Sequence, residues 1–191
     1  MSNNNEYDIS DSKDCETYIN QFIQEFTIHS AEIGKGTVIK RALPSRQKRL
    51  VGAWCFLDHA GPVSFPAGDG LDVGPHPHIG LQTFTWMIEG TMMHTDSLGS
   101  KQLIRPKQVN LMTAGRGISH TEVAPDSETK MHAAQLWIAL PDDKLNMDPK
   151  FEHYPELPVV SQDQVEFTVL VGDFLDTTSP VQVHPLWSVL I

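Results

Sequence analysis

Apolar positions change their spacing once along this chain. Between Cys15 and Phe26 they fall at Tyr18, Ile19, Phe22, Ile23 and Phe26, a helical period, with Ser12 or Asp14 placed to cap it. Residues 1–14 are polar and acidic and read as a loose tail. After Phe26 the apolar runs shorten and are broken by Gly, Pro, Asp and Ser. Thr37–Leu43 and Leu50–Asp58 read as strands, the second ended by His59-Ala60-Gly61-Pro62. Residues 64–75 form a Gly/Pro/Asp loop. Phe84, Trp86 and Ile88 alternate with Thr83, Thr85 and Met87, giving a strand with two different faces. Glu89-Gly90 then turns the chain into a returning strand, Met92–Asp96. Val109–Met112, Met131–Leu140 and Val165–Leu170 are further strands, and Val181–Ile191 begins another. The segment 141–158 reads as an acidic, proline-punctuated connection. Short strands at this spacing predict an antiparallel sandwich or barrel, an all-β fold with an N-terminal helical extension.

A length of 191 residues suits one domain or one domain with an appendage, and the 13 Gly and 13 Pro fit a turn-rich fold. The net charge of −10 lies in residues 51–191, because residues 1–50 balance acids against bases. Such a surface repels phosphate backbones and argues against direct nucleic-acid binding. The basic group Lys40, Arg41, Arg46, Lys48 and Arg49 reads as a solvated loop and strand edge. Cys15 and Cys55 sit in unlike surroundings, a polar helix and an apolar run, so reduced thiols and a cytoplasmic location are expected. The N-terminus lacks the pattern of a signal peptide, and no apolar run reaches membrane-spanning length.

Two short motifs change the picture. His76-Pro77-His78 and His120-Thr121-Glu122 each place two side chains at i, i+2, which in a strand share one face. Two such strands side by side aim three imidazoles and one carboxylate at one point, a donor set for a mononuclear transition metal. An octahedral ion held by His76, His78, His120 and Glu122 keeps two positions open. One carboxylate leaves a divalent site at a formal charge of about +1, suited to an anionic chelating substrate such as an enolate. Fe(II) is the preferred ion, and Mn, Co, Ni, Cu or Zn accept the same donors. Gly74-Pro75 and Pro77 stiffen the first pair. Ala114-Gly115-Arg116-Gly117 forms a turn needing positive φ or close backbone approach, which delivers the second pair. His94 with Asp96 on the same strand face reads mainly as a hydrogen-bonded pair near the site. His132 reads as a neighbour of the ligands, and Gln82 as a hydrogen-bond donor to one. Met87, Met92, Met93 and Met112 read as core filler.

The segments R41-A42-L43-P44-S45, F56-L57-D58-H59-A60-G61-P62, H76-P77-H78-I79-G80-L81-Q82-T83, H94-T95-D96-S97-L98-G99 and M112–E122 occur in the order found in the pirin family. L136-W137-I138-A139-L140-P141 fits the same pattern, and G70-(x)5-H76-x-H78 resembles the first cupin motif. The resemblance covers about residues 35–180. It implies a cupin fold (a double-stranded β-helix, or jelly-roll barrel) in the first of two such barrels. With the N-terminal helix as an extension, the chain divides into a tail and amphipathic helix at 1–26, a first cupin domain at 27–160, and linker strands with the start of an incomplete second cupin at 161–191. The resemblance also implies iron on His76, His78, His120 and Glu122. The activity implied is that of a quercetin 2,3-dioxygenase acting on a flavonol-like substrate and dioxygen; in that reaction Glu122, beside the metal, is the candidate base for the substrate hydroxyl. The alternative is an iron-bearing regulator that binds protein partners. Gln82 stands where the family commonly has Glu. An uncovered barrel face would favour self-association.

Overall fold

The computed structural model describes residues 27–184, and the helix expected at 15–26 lies outside the described residues, as does most of the last expected strand. The described chain is built from antiparallel strands, numbered here in chain order. A seven-stranded sheet has the order β1 (His29–Ile33), β2 (Thr37–Leu43), β3 (Trp54–Ser64), β10 (Lys130–Ala139), β5 (Leu81–Gly90), β8 (Val109–Thr113), β11 (Lys150–Tyr154). A four-stranded sheet has the order β4 (Asp72–His78), β9 (Ile118–Val123), β6 (Met92–Asp96), β7 (Lys101–Ile104). Two hairpins follow, β12 (Val159–Gln162) with β13 (Val165–Thr168) and β14 (Asp173–Phe174) with β15 (Thr177–Thr178).

The two sheets pack face to face around Ile39, Ala60, Met87, Met92, Ile104, Met131 and Ala133, drawn from both. The methionines at 87, 92 and 112 are buried, as expected of flexible core filler. The other face of the large sheet is covered as well. Phe84, Leu111, Leu136 and Ile138 pack against Leu170, Val171, Val181 and Val183 from the segment after β13. Burial on both faces explains why β8 is buried at every position and why β10 reads as an almost unbroken apolar run. Each fully buried Leu, Ile, Phe or Met here contributes about 1.5–3 kcal/mol.

Four expectations are corrected. The strand expected at 50–58 starts at Trp54 and continues to Ser64, through His59-Ala60-Gly61-Pro62, because it pairs with β2 on one side and β10 on the other. Met92–Asp96 is a strand but not the return of a hairpin: β5 pairs with β10 and β8, whereas β6 belongs to the other sheet. Gly90 has φ +81 and its α-carbon lies so close to the Lys130 carbonyl that a Cβ would collide with it, so the chain bends there to change sheets. The connection at 141–158 contains β11, which extends the large sheet along β8. Finally, 181–184 carries no strand, and Val181 and Val183 instead fill the outer core.

Candidate metal centre

An interior strand of the small sheet, β9, carries His120 and Glu122 on its inward face, both buried. His76 of β4 lies opposite His120, and His78 opposite Ile118. This register depends on a bulge. Val73 is opposite Glu122, but His76, three residues on, is opposite His120, two residues back. The extra residue falls at Gly74-Pro75. Without it His76 and His78 would point out of the barrel, since a one-residue slip exchanges the faces of a strand. Prolines at 75 and 77 are tolerated because β4 is an edge strand. The turn that feeds β9 is tied down from both sides. Gly80 N–H donates to Gly115 O (2.8 Å) and Arg116 N–H to Met147 O (3.0 Å). Gly115, at φ +51, faces the Met147 carbonyl where a Cβ would not fit, so the expected need for glycine is met.

The result is a triad. One ligand nitrogen from each of His76, His78 and His120 lies within 4.8 Å of the others. Ring centroids are 4.4 Å apart for His76 and His120, 4.9 Å for His76 and His78, and 5.0 Å for His78 and His120. His76 donates Nδ1–H to the Gly74 carbonyl at 2.9 Å, which leaves its Nε2 lone pair free. His120 Nε2 is buried and has no hydrogen-bond partner. A buried polar atom without a partner is costly in a native protein, and an ion between the three rings satisfies it. Burial, reinforced by His76, pushes His78 down to about 4. Burial, with His76, His94 and His78 adding to it, pushes His120 down to about 3. Both rings are therefore neutral at physiological pH, the form that ligates metal. The three imidazoles form a site for a divalent metal.

These two rings also predict an acid response. Unfolded, each titrates near the ordinary value of 6.5; folded, only near 4 and 3. The unfolded chain thus binds more protons as pH falls below about 6.5, and stability is full above that pH and lost on the way down. The chelator-treated chain is expected to show a falling Tm from about pH 7 to pH 5, and a Tm flat over that interval would refute this burial-driven response.

Glu122 lies outside the 4.8 Å group. Its carboxylate accepts from Gln135 Nε2 at 2.9 and 2.8 Å and from Thr85 Oγ1 at 3.3 Å, both on the large sheet. Beside it is a cavity of about 30 Å³, lined by Asp58, Thr85, Glu122 and Gln135 among apolar side chains. That volume holds about one water. Asp58, also buried, is clamped by Arg41 through two bonds of 2.7 Å. Arg41 lies 4.5 Å over the Phe56 ring, Phe56 stacks on Trp137 (4.0 Å, 11°), and Trp137 meets His78 edge-on at 4.9 Å.

The remaining sequence candidates separate from the triad. Gln82 points to the other face, donates to Thr113 Oγ1 (2.9 Å) and accepts from the His184 N–H (2.7 Å), so it does not support a ligand. His132 pairs with His59, Nε2 to Nε2 at 2.8 Å, on the outer face of the large sheet, away from the ligands. His94 and Asp96 do bond each other at 3.0 Å and sit against His120. Gln135 and Thr85 gave no local signal, because they reach the site from strands distant in sequence, and the segments holding Phe56 and Trp137 did not mark them as neighbours of His78.

The sequence pattern of the pirin family matches residues 36–138. The chain belongs to the pirin family. Within it, the chain is 87% identical to a crystal structure of quercetin 2,3-dioxygenase from Acinetobacter baumannii, with a TM-score of 0.85 over 86% of this chain and 55% of that one. A Pseudomonas aeruginosa protein provisionally named a quercetin 2,3-dioxygenase is 54% identical over 185 residues, which is 96% of this chain and 59% of the relative. A pirin-like protein of Caulobacter vibrioides is 40% identical over 160 residues, 79% of this chain and 56% of the relative. The chain spans about half the length of the curated relatives it matches. Among the described residues, no helix is long and apolar enough to cross a membrane.

Proposed function

We propose that this pirin is the metal-bearing part of a quercetin 2,3-dioxygenase, with Fe(II) held by His76, His78 and His120 and with Glu122 as fourth ligand and base. The observation that carries the reading is the inward triad with a bare, buried His120 Nε2. The names of the Acinetobacter and Pseudomonas relatives supply the substrate class, a flavonol, and its co-substrate, dioxygen. Residues 27–160 form the first cupin domain in this reading, and the chain works in the cytoplasm, where the free thiol of Cys55 stays reduced.

Bound there, Fe(II) supplies Lewis acidity and the one-electron chemistry that dioxygen requires. The protein's own groups do the rest. The triad leaves open positions toward which a flavonol can turn its 3-hydroxyl and carbonyl. Glu122 takes the 3-hydroxyl proton, and Gln135 and Thr85 fix the carboxylate through which it does so. The Phe56–Trp137 stack keeps water from one side of His78. Holding both reactants in one place is the larger contribution, a proximity effect.

The chain loaded anaerobically with Fe(II) is expected to consume oxygen when quercetin is added, and to stop when a chelator is added. A chain that holds one iron yet consumes no oxygen with quercetin sinks the dioxygenase reading and leaves the partner-binding regulator in its place.

A further inference from the structure

Two buried residues of β6 touch the triad without belonging to it. Asp96 lies opposite His120 across the β6–β9 ladder, and His94 opposite Glu122. His94 and Asp96 are 2% and 8% exposed, and the His94 ring stacks on Phe151 at 4.2 Å. Asp96 Oδ1 accepts the backbone N–H of Leu98 (2.9 Å) and of Ser100 (3.0 Å). Its other oxygen, Oδ2, lies 3.0 Å from His94 Nε2. His94 Nδ1 in turn lies 3.4 Å from His120 Nδ1. Burial alone would raise the Asp96 carboxyl, but the bonds from His94, Ser100 and Leu98 outweigh it and hold it below the usual range.

Counting donors settles where the protons go. A carboxylate only accepts, so His94 Nε2 carries a hydrogen. His120 Nε2, the atom buried without a partner, is the one the metal takes, so it carries no hydrogen. His120 Nδ1 must then be the donor across the 3.4 Å contact. His94 Nδ1 accepts that hydrogen, as a ring donating from Nε2 to the Asp96 carboxylate can.

We propose that Asp96 and His94 are positioning residues that fix the tautomer of His120, turning its Nε2 lone pair toward the metal. The proposal rests on the triad as the metal site. It makes an unusual demand on Asp96→Asn. The asparagine oxygen must stay with the Leu98 and Ser100 N–H groups, so its NH2 faces His94. His94 Nε2 becomes an acceptor, its Nδ1 a donor, and His120 carries its hydrogen on Nε2, where the metal should bind.

The test is Co(II) affinity, by competition with a chelator, in wild type, D96N, H94F and the double variant, with the Tm of each metal-free protein as a folding control. D96N is expected to weaken Co(II) binding by about 10–100-fold. In the H94F background, where no ring transmits the reversal, adding D96N is expected to change affinity by less than about twofold. D96N matching wild type overturns the relay, and so does an equal loss in both backgrounds, which is what a purely structural Asp96 would give. A wild-type chain that takes up no Co(II) overturns the triad itself.

Discussion

His120→Ala leaves a folded chain without its metal and without oxygen uptake. His120 is the most buried member of the triad, at 2% exposed; it meets the other rings at 4.4 and 5.0 Å, and its Nε2 has no other partner. Removing it leaves two imidazoles, one of them half exposed. Loss of an outer partner alone costs about 10–100-fold in metal affinity, so loss of a ligand is expected to exceed about 100-fold. His120 is buried, so its removal also opens a cavity, and the Tm of the metal-free variant is the folding control. His76→Ala checks this independently, because His76 is half-buried and its loss opens no central cavity. Metal content per chain and oxygen uptake with quercetin are the readouts. Full metal content with unchanged turnover in both variants rules out the triad as the site.

The triad was legible because its spacing is local: i, i+2 on a strand needs no knowledge of the rest of the fold. Its facing was not. The bulge at Gly74-Pro75 turns His76 and His78 inward, and Gly-Pro alone reads equally well as a simple turn. The strands β2, β6, β8 and β10 followed from their short apolar runs, and β5 from its two alternating faces. By contrast β1 and β11, HSAEI and KFEHY, are edge strands with mixed polarity, and what makes them strands is a partner ladder far along the chain. The same physics hid the neighbours of Glu122. Gln135 and Thr85 lie 13 and 37 positions away and meet it only because the two sheets close on each other. Residues that tune a site across a fold leave no periodic trace, since periodicity records burial and not which polar groups pair.

Glu122→Gln is expected to separate holding the metal from using it. The three imidazole nitrogens lie together without the carboxylate, so the variant keeps a metal site with weakened affinity. What it loses is the base. An amide in place of the carboxylate takes no proton, and general-base contributions of about 10²–10⁴-fold belong to kcat. The contacts also change sign. Gln135 Nε2 donates to both carboxylate oxygens, and the new NH2 presents a donor to a donor unless Gln135 reverses its amide. Glu122→Asp isolates the geometry: it keeps the charge but draws the carboxylate back from Gln135 and Thr85, so a partial return of kcat marks proton transfer as the role. Saturating iron with quercetin varied gives kcat and KM for each variant. Glu122→Gln with an unaltered kcat at full metal occupancy removes the base from the mechanism, whereas a KM that rises alone places Glu122 in substrate binding.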